Sequence, residues 1–548
     1  MRNPIEKGHC GRQSGDGRRA LAAIAGAVIA LFGGVALASS GESSASESAA
    51  ESSTSHPSAS AASQSAVAQN TSRRPTGGLD ARLADTLRAA GFSGRVEASL
   101  ERRLGRELNP ALSDLGRLLF FDVDGGLHDD NTCAGCHSPT AGMGDTQSIA
   151  IGVQNNGIVG PSRTGPRNQR RTPSVSNTAF YPKLMWNGRF SAPSGDPFDA
   201  SLGFTFPAPE GTEAFPANDP VIDHLLIAQA FIPPTELVEV AGFTGTRGTI
   251  GPRFDAFDDG LGAACPAADT SGFRNEPIRQ EVLERLNGNS RYRELFGAVF
   301  PEVAAGKAIE FSMFGRAIAE FEFSLVSANA PIDRFARGER DAMTRSQKRG
   351  ALLFFGEAGC VGCHAVAGGS NEMFSDFEMH NIGVPQIAPF FGVGLGNVIF
   401  DGPYEEDDFG LEQVTTNPAD RYKFRTSPLR NVAMQPTFFH NGAFTRLEDA
   451  IAHHLDVQAS ACGYDPITAG VDEDLTYVVA PANRVLSTLD PVLSRPTVLS
   501  ARELADLVAF VRDGLLDPRA APAELCKLIP EEVPSGKPLL EFEGCPTP

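Results

Sequence analysis

With 548 residues, 41% of them apolar, the chain is long enough for two or three domains around a large buried core, which excludes a wholly disordered protein. Its formal net charge of −20 repels nucleic acid, excludes it as a partner, and favours basic partners. At the start, Arg2, Lys7, Arg12, Arg18 and Arg19 precede an uncharged apolar run from Ala20 to Ala38 that ends in Ala36-Leu37-Ala38. Basic lead, apolar core and small-residue end make a secretory signal, so residues 1–38 are expected to direct export. The run is also about as long as a bilayer is thick, which leaves an uncleaved N-terminal membrane anchor open. Residues 39–78 are dominated by Ser, Ala, Glu and Thr and contain no aromatic residue, which predicts a disordered linker.

Asn109-Pro110 caps a predicted helix whose apolar positions Leu112, Leu115, Leu118 and Leu119 recur at helical spacing, ending near Phe121. Then comes Cys133-Ala134-Gly135-Cys136-His137, a pattern that returns as Cys360-Val361-Gly362-Cys363-His364. In C-x-x-C-H two thiols add across the vinyl groups of a haem, and the histidine binds its iron from the proximal side. Two competing readings are a structural zinc site, which wants four ligands in one cluster, and a disulfide redox pair, which has no use for the histidine. Gly116-Arg117-Leu118-Leu119-Phe120-Phe121 precedes the first motif and Gly350-Ala351-Leu352-Leu353-Phe354-Phe355 the second, the latter opened by the capping box Thr344-x-x-Gln347. The expected fold is therefore mostly α, with two cytochrome-c-like haem domains in tandem and long loops.

Between the motifs, Ala304 to Leu325 reads as one long helix with Phe314, Ala317, Ile318, Phe321 and Leu325 inward. Its Phe-rich stripe is assigned to the core and given no chemistry. Phe243 to Phe273, rich in Gly, Asp and Thr, reads as an inserted loop, and Pro331 to Arg340 as an inter-domain crossing. Ser500-x-x-Glu503 caps a last helix with Leu504, Leu507, Val508 and Val511 on one face. The domains are expected at 79–330 and 331–520, followed by a tail at 521–548. Outside the leader and the two motifs stand Cys265, Cys462, Cys526 and Cys545, an even remainder that allows up to two disulfides of unassigned pairing.

The order of further segments resembles the bacterial di-haem cytochrome c peroxidase family, which includes the MauG-type enzymes. The resemblance spans about Asn109 to Phe510. It rests on Arg171-Thr172-Pro173-Ser174-Val175-Ser176-Asn177, Trp186-Asn187-Gly188-Arg189, His380-Asn381-Ile382-Gly383, Leu429-Arg430-Asn431-Val432 and Phe439-His440-Asn441-Gly442, together with both haem motifs. It implies a peroxidatic N-terminal haem held by Cys133, Cys136 and His137. It also implies an electron-transfer C-terminal haem held by Cys360, Cys363 and His364, with Trp186, the chain's single tryptophan, relaying electrons between them. Gln229 and Glu239 stand ten residues apart, as a distal glutamine and glutamate do in the family, which makes Glu239 the acid-base group, with Glu236 as its near neighbour.

Two departures sharpen the reading. Many family members block the peroxidatic iron with a histidine sixteen residues after the first motif's histidine; here that residue is Val153, and no histidine occurs between His137 and His224. The first iron is therefore expected to be five-coordinate or water-bound at rest, with Met143 the only other candidate ligand. Fourteen residues after His440, where relatives carry a methionine or a tyrosine ligand, stands His454, which would give the second haem imidazole on both faces and remove methionine's potential-raising effect. Adjacent His453 is the alternative ligand, His440 resembles a family pocket residue, and His380 reads as structural. The family's inter-domain calcium is opposed here by the cation of Arg171, so calcium is an optional ion only. The resemblance implies a periplasmic peroxidase that reduces hydrogen peroxide with electrons from a small c-type cytochrome. Two rivals remain, a MauG-like high-valent haem oxidase acting on a protein partner and a non-catalytic electron carrier; a homodimer is also open.

Overall fold

The computed structural model describes residues 78–211, 213–249, 254–262, 265–389 and 407–546, so the predicted signal segment and nearly all of the predicted linker lie outside the described residues. Eight helices position the site: α1 (Leu79–Ala89), α2 (Pro110–Phe121), α3 (Leu225–Gln229), α4 (Phe311–Ser324), α5 (Pro331–Ala336), α6 (Arg345–Phe354), α7 (Leu447–Leu455) and α8 (Ala501–Ala509). The described residues are mostly helix and loop; their strands are two-residue pairs such as Met379–His380 against Phe424–Arg425. None of the described helices is long and apolar enough to cross a membrane.

Helix ends follow the local chemistry. The Asn109 side chain accepts from the backbone N–H groups of Ala111 and Leu112 and, with Pro110 in the first turn, starts α2. Thr344 with Gln347, and Ser500 with Glu503, close reciprocal capping boxes on α6 and α8.

One packing unit occurs twice. Gly116 of α2 lies so close to α4 that a Cβ there would stand 1.9 Å from the Ala317 carbonyl, and Gly350 of α6 would place one 1.9 Å from the Asp506 carbonyl of α8. Only glycine lets either pair of backbones meet. Four residues on, Phe120 packs edge-on against Phe321 at 5.1 Å and lies 6.2 Å from the His137 ring. Phe354 packs against Phe510 at 5.3 Å and lies 6.3 Å from the His364 ring. The Gly-x-x-x-Phe spacing, one helical turn, thus sets a crossing and then presents an aromatic ring to the motif that follows.

Elsewhere the chain differs from its sequence pattern. The expected helix from Ala304 to Leu325 is interrupted: a short turn (Pro301–Ala304) ends at Gly306, with φ +102, and α4 begins only at Phe311. Pro331 to Arg340 is not a free crossing, because α5 buries Ile332 and Phe335 and clamps Asp333 to Arg430 through two hydrogen bonds of 2.8 Å, both side chains fully buried. The halves also exchange their ends. Leu83 and Leu87 of α1 join Phe354 and Phe510 in one core, whereas Leu525, Val533 and Phe542 of the tail join Leu119, Phe120 and Phe121 in the other.

The tail is tied down by a parallel pairing of Ile158–Val159 with Glu541–Phe542 and by a Cys526–Cys545 disulfide. Cys462 is also disulfide-bonded. Cys265 is free and buried, its N–H donating to the Thr244 carbonyl, so the four remaining cysteines do not make two disulfides among themselves. The loop from Phe243 to Phe273 has a small core of its own, in which Phe243, Phe254 and Phe257 pack on Val153.

Candidate functional site

Thr132 accepts from the Gly135 N–H and caps the turn Cys133–Cys136, which delivers His137 to the edge of a large cavity. The cavity measures about 1450 Å³ with its open mouth and is lined by Cys133, Cys136, His137, Gln229, Glu236 and Glu239, with Phe120, Phe314 and Ile318 on an apolar wall. Burial pushes the Cys133 thiol up to about 12 and Cys136 to about 11, and lowers His137 to about 4. Uncharged thiols beside a neutral imidazole argue against a redox pair, which needs a lowered thiol. Met143 is fully buried in the core of this half and is absent from the cavity wall.

Glu239 sits on a π-helical turn, Leu237–Ala241, a winding often found where a side chain must be re-aimed. The turn is held from below: the Val153 N–H donates to the Val238 carbonyl at 3.3 Å, and Gly152 approaches so closely that a Cβ would stand 2.0 Å from the same oxygen. Asn131, two residues before Cys133, donates to the Glu239 carbonyl at 2.7 Å and so ties the haem motif to the acid's backbone. Burial raises the Glu239 carboxyl to about 7, helped by repulsion from Glu236 and opposed by Arg189. Glu236 itself pairs with Arg189 at 3.1 Å, which separates the two carboxylates in role: one is neutralised, the other lines the cavity with a proton it can exchange near neutral pH.

Sequence reasoning missed a third acid. Glu322 of α4 faces the same cavity, accepts from the Thr178 hydroxyl at 3.1 Å, and is raised by burial to about 8. Its place in a Phe-rich stripe concealed it, although a carboxylate at an inward helical position was a signal.

In the second half, the turn Cys360–Gly362 leads into Cys363 and His364. The His454 ring of α7 faces the His364 ring with centroids 6.2 Å apart. Two metal–nitrogen bonds of about 2 Å each, plus about 1 Å from each nitrogen to its ring centre, span about 6 Å, so one iron fits between them. The Nδ1 atoms are engaged by backbone carbonyls, His364 with Phe374 at 2.9 Å and His454 with Ala450 at 2.8 Å, which leaves each Nε2 for a metal. His453 has both ring nitrogens occupied, by Ser460 and by the Ile382 carbonyl, and belongs to the core. His380 is gripped by Asp490 at 2.6 Å and Asp376 at 3.2 Å, and these carboxylates, Asp376 above all, raise its pKa and favour its cation beside the second motif.

Segments of both halves meet at Trp186. Its indole N–H donates to the Arg171 carbonyl at 2.8 Å, and its own carbonyl accepts the Arg425 N–H at 2.8 Å. The Arg171 N–H in turn donates to the His440 carbonyl, and the His440 ring stacks on Phe424 at 3.6 Å. The Arg171 guanidinium donates to the Thr437 carbonyl, to the Asp145 carbonyl at 3.0 Å and to the Gln435 side chain at 2.7 Å. These are the oxygen types a calcium ion would seek, and a cation already holds them.

The donor sets fit a c-type haem at each motif: thiols and a neutral imidazole at a partly apolar cavity in the first half, thiols and two facing imidazoles in the second. A profile of the di-haem cytochrome c peroxidase family matches residues 110–341. The chain is 27% identical over 412 residues to the cytochrome-c peroxidase IdrP1 of Pseudomonas sp. (strain SCT), covering 72% of this chain and 79% of that protein. It is also 27% identical over 416 residues to the methylamine utilization protein MauG of Methylorubrum extorquens, covering 75% and 80%. Among solved structures, a MauG-like protein associated with microbial copper homeostasis aligns at 22% identity over 76% of this chain and 91% of that one, with a TM-score of 0.49.

Proposed function

We propose that this chain is a member of the di-haem cytochrome c peroxidase family and reduces hydrogen peroxide to water with electrons from an external donor. One observation carries the reading: Glu239, with a carboxyl raised to about 7, lines the same cavity as His137. A haem at each motif supplies the redox-active iron.

The protein supplies the rest. Cys133 with Cys136, and Cys360 with Cys363, would hold the two haems; His137 would bind the first iron, and His364 with His454 the second. Glu239 takes the proton from the near peroxide oxygen and returns it to the leaving one, which a carboxyl with a value near the working pH does in both directions. Gln229, at the end of α3 on the same cavity, orients the peroxide. Trp186 carries electrons between the halves, a role supported by its hydrogen bonds to segments of both.

In this reading the two halves are cytochrome-c-like domains, and the leader exports the protein to the periplasm, where a small basic c-type cytochrome suits the charge of −20. Calcium is replaced at the inter-domain position by the Arg171 guanidinium. Mixing the ferric protein with peroxide and a reduced c-type cytochrome tests the assignment. The account expects steady oxidation of the donor without prior reduction of the enzyme; peroxide-independent electron exchange alone would mark a carrier and reject it.

A further inference from the structure

Arg425 is a buried cation without a counter-ion. Its residue is 4% exposed, yet its side-chain hydrogen bonds go only to carbonyls, Nε to Met185 at 3.1 Å and Nη1 to Thr426 at 3.3 Å. Its nearest rings, Tyr181 and Phe377, lie 5.8 and 5.7 Å from the guanidinium carbon. No carboxylate among the described residues pairs with it. Arg430, Arg170 and Arg279 are buried against Asp333, Asp408 and Glu210, and the carboxylate-free Arg163 and Arg171 spread their guanidiniums over four and three carbonyl or amide oxygens, whereas Arg425 has only the two. An isolated buried charge is costly, so a site that keeps one has an anion to receive. Burial lowers its pKa to about 10, which still leaves it charged at neutral pH.

Arg425 faces the first cavity although it comes from the second half. Its strand pairs with Met379–His380, beside Cys363, and its N–H holds the Trp186 carbonyl. The anion must therefore fit a cavity that also holds two thiols, an imidazole, an apolar wall and the acids Glu236, Glu239 and Glu322, none of which pairs with Arg425. Haem brings its own negative groups, the two propionate carboxylates, and a guanidinium forms its strongest contacts with a carboxylate. We propose that Arg425 binds a propionate of the first haem, so that the second half grips the cofactor of the first. The inference rests on the functional reading above. A cation held there favours the ferrous form, so its loss should lower the midpoint potential of that haem alone.

The test is a spectroelectrochemical titration of loaded wild type, Arg425→Gln and Arg425→Lys, with haem counted by the pyridine haemochrome assay. Arg425→Gln should keep two haems while the ferrous-to-ferric ratio of the first, at fixed potential, falls about tenfold, which is about 59 mV for a one-electron couple. Arg425→Lys should retain most of the wild-type midpoint, and the second haem should not move. An unchanged first midpoint in fully loaded Arg425→Gln overturns the inference alone; wild type without haem at Cys133 and Cys136 overturns the functional reading and the inference with it. Should Arg425→Gln not accumulate, the propionate bending mode in the resonance Raman spectrum decides: it should shift in Arg425→Lys, where a point charge replaces the fork, and an unshifted mode overturns the proposal.

Discussion

Around Cys133 the chain is covered. Ala134 and Gly135 are buried, and Leu540 of the tail lies so near that a Cβ on Gly135 would stand 3.0 Å from it. Around Cys360 the corresponding Gly362 is exposed and a Cβ there would meet nothing within 4 Å. Both motifs follow the same glycine-to-phenylalanine helix crossing, so the crossing does not make them different. The difference is added from outside. The first motif receives the tail, the π-helical turn with Glu239 and an open cavity, whereas the second receives α7 and a second imidazole. A motif and its supporting helix fix how a haem is held; the segments laid over it set what can reach the iron.

The contrast breaks most sharply at Glu239. Glu239→Gln should lower the rate of reaction with peroxide by about 10²–10⁴. Stopped-flow measurement across pH should show the wild-type rate falling as pH drops through about 7 and the variant profile flat. A variant that keeps the wild-type rate would remove the difference between the two sites.

Asp333 and Arg430 are both fully buried in the second half, so Asp333→Asn should cost about 3–5 kcal/mol by stranding a charge. The clamp of the first half, Arg106 on Glu320, leaves Arg106 with 45% of its side chain exposed, and Glu320→Gln should cost clearly less in the same denaturant titration. Opening the Cys526–Cys545 link with Cys526→Ser should cost about 3 kcal/mol in a chain-entropy account. Proteolysis should then increase near the first motif and not the second.

The stability should also drift with pH. Glu322 keeps its proton to about 8 in the folded chain but loses it near 4.5 when unfolded. The folded state therefore binds more protons across that window, and stability falls as pH rises from about 4.5 to 8. Glu322→Gln should show less of this fall in urea midpoints; an equal slope would mean the carboxyl is ionised.

Local features of the fold could be read from the sequence. The Asn109 cap, the two capping boxes and the repeated Gly-to-Phe spacing are short-range signals, and each stands where its chemistry puts it. His137 is read from its motif and Gln229 with Glu239 from a spacing shared with the family, and all three line one cavity. What escaped depends on distant contacts. Nothing in the pattern of α1 says that Leu83 joins the same core as Phe510, or in the tail that Phe542 packs with Phe121 at 5.6 Å. Pro331 to Arg340 looked like a crossing because its proline and charges resemble a linker, but Asp333 is buried by a partner 97 residues away. Arg425 had no local mark at all, since its meaning comes from the absence of a neighbouring carboxylate.

The most direct test of the unequal sites is the electron paramagnetic resonance spectrum of the fully loaded ferric protein, recorded for wild type and His454→Ala. The account predicts one high-spin signal from the first site and one low-spin bis-imidazole signal from the second, with only the latter lost in the variant. Two low-spin signals, or a low-spin signal that survives His454→Ala, would contradict it.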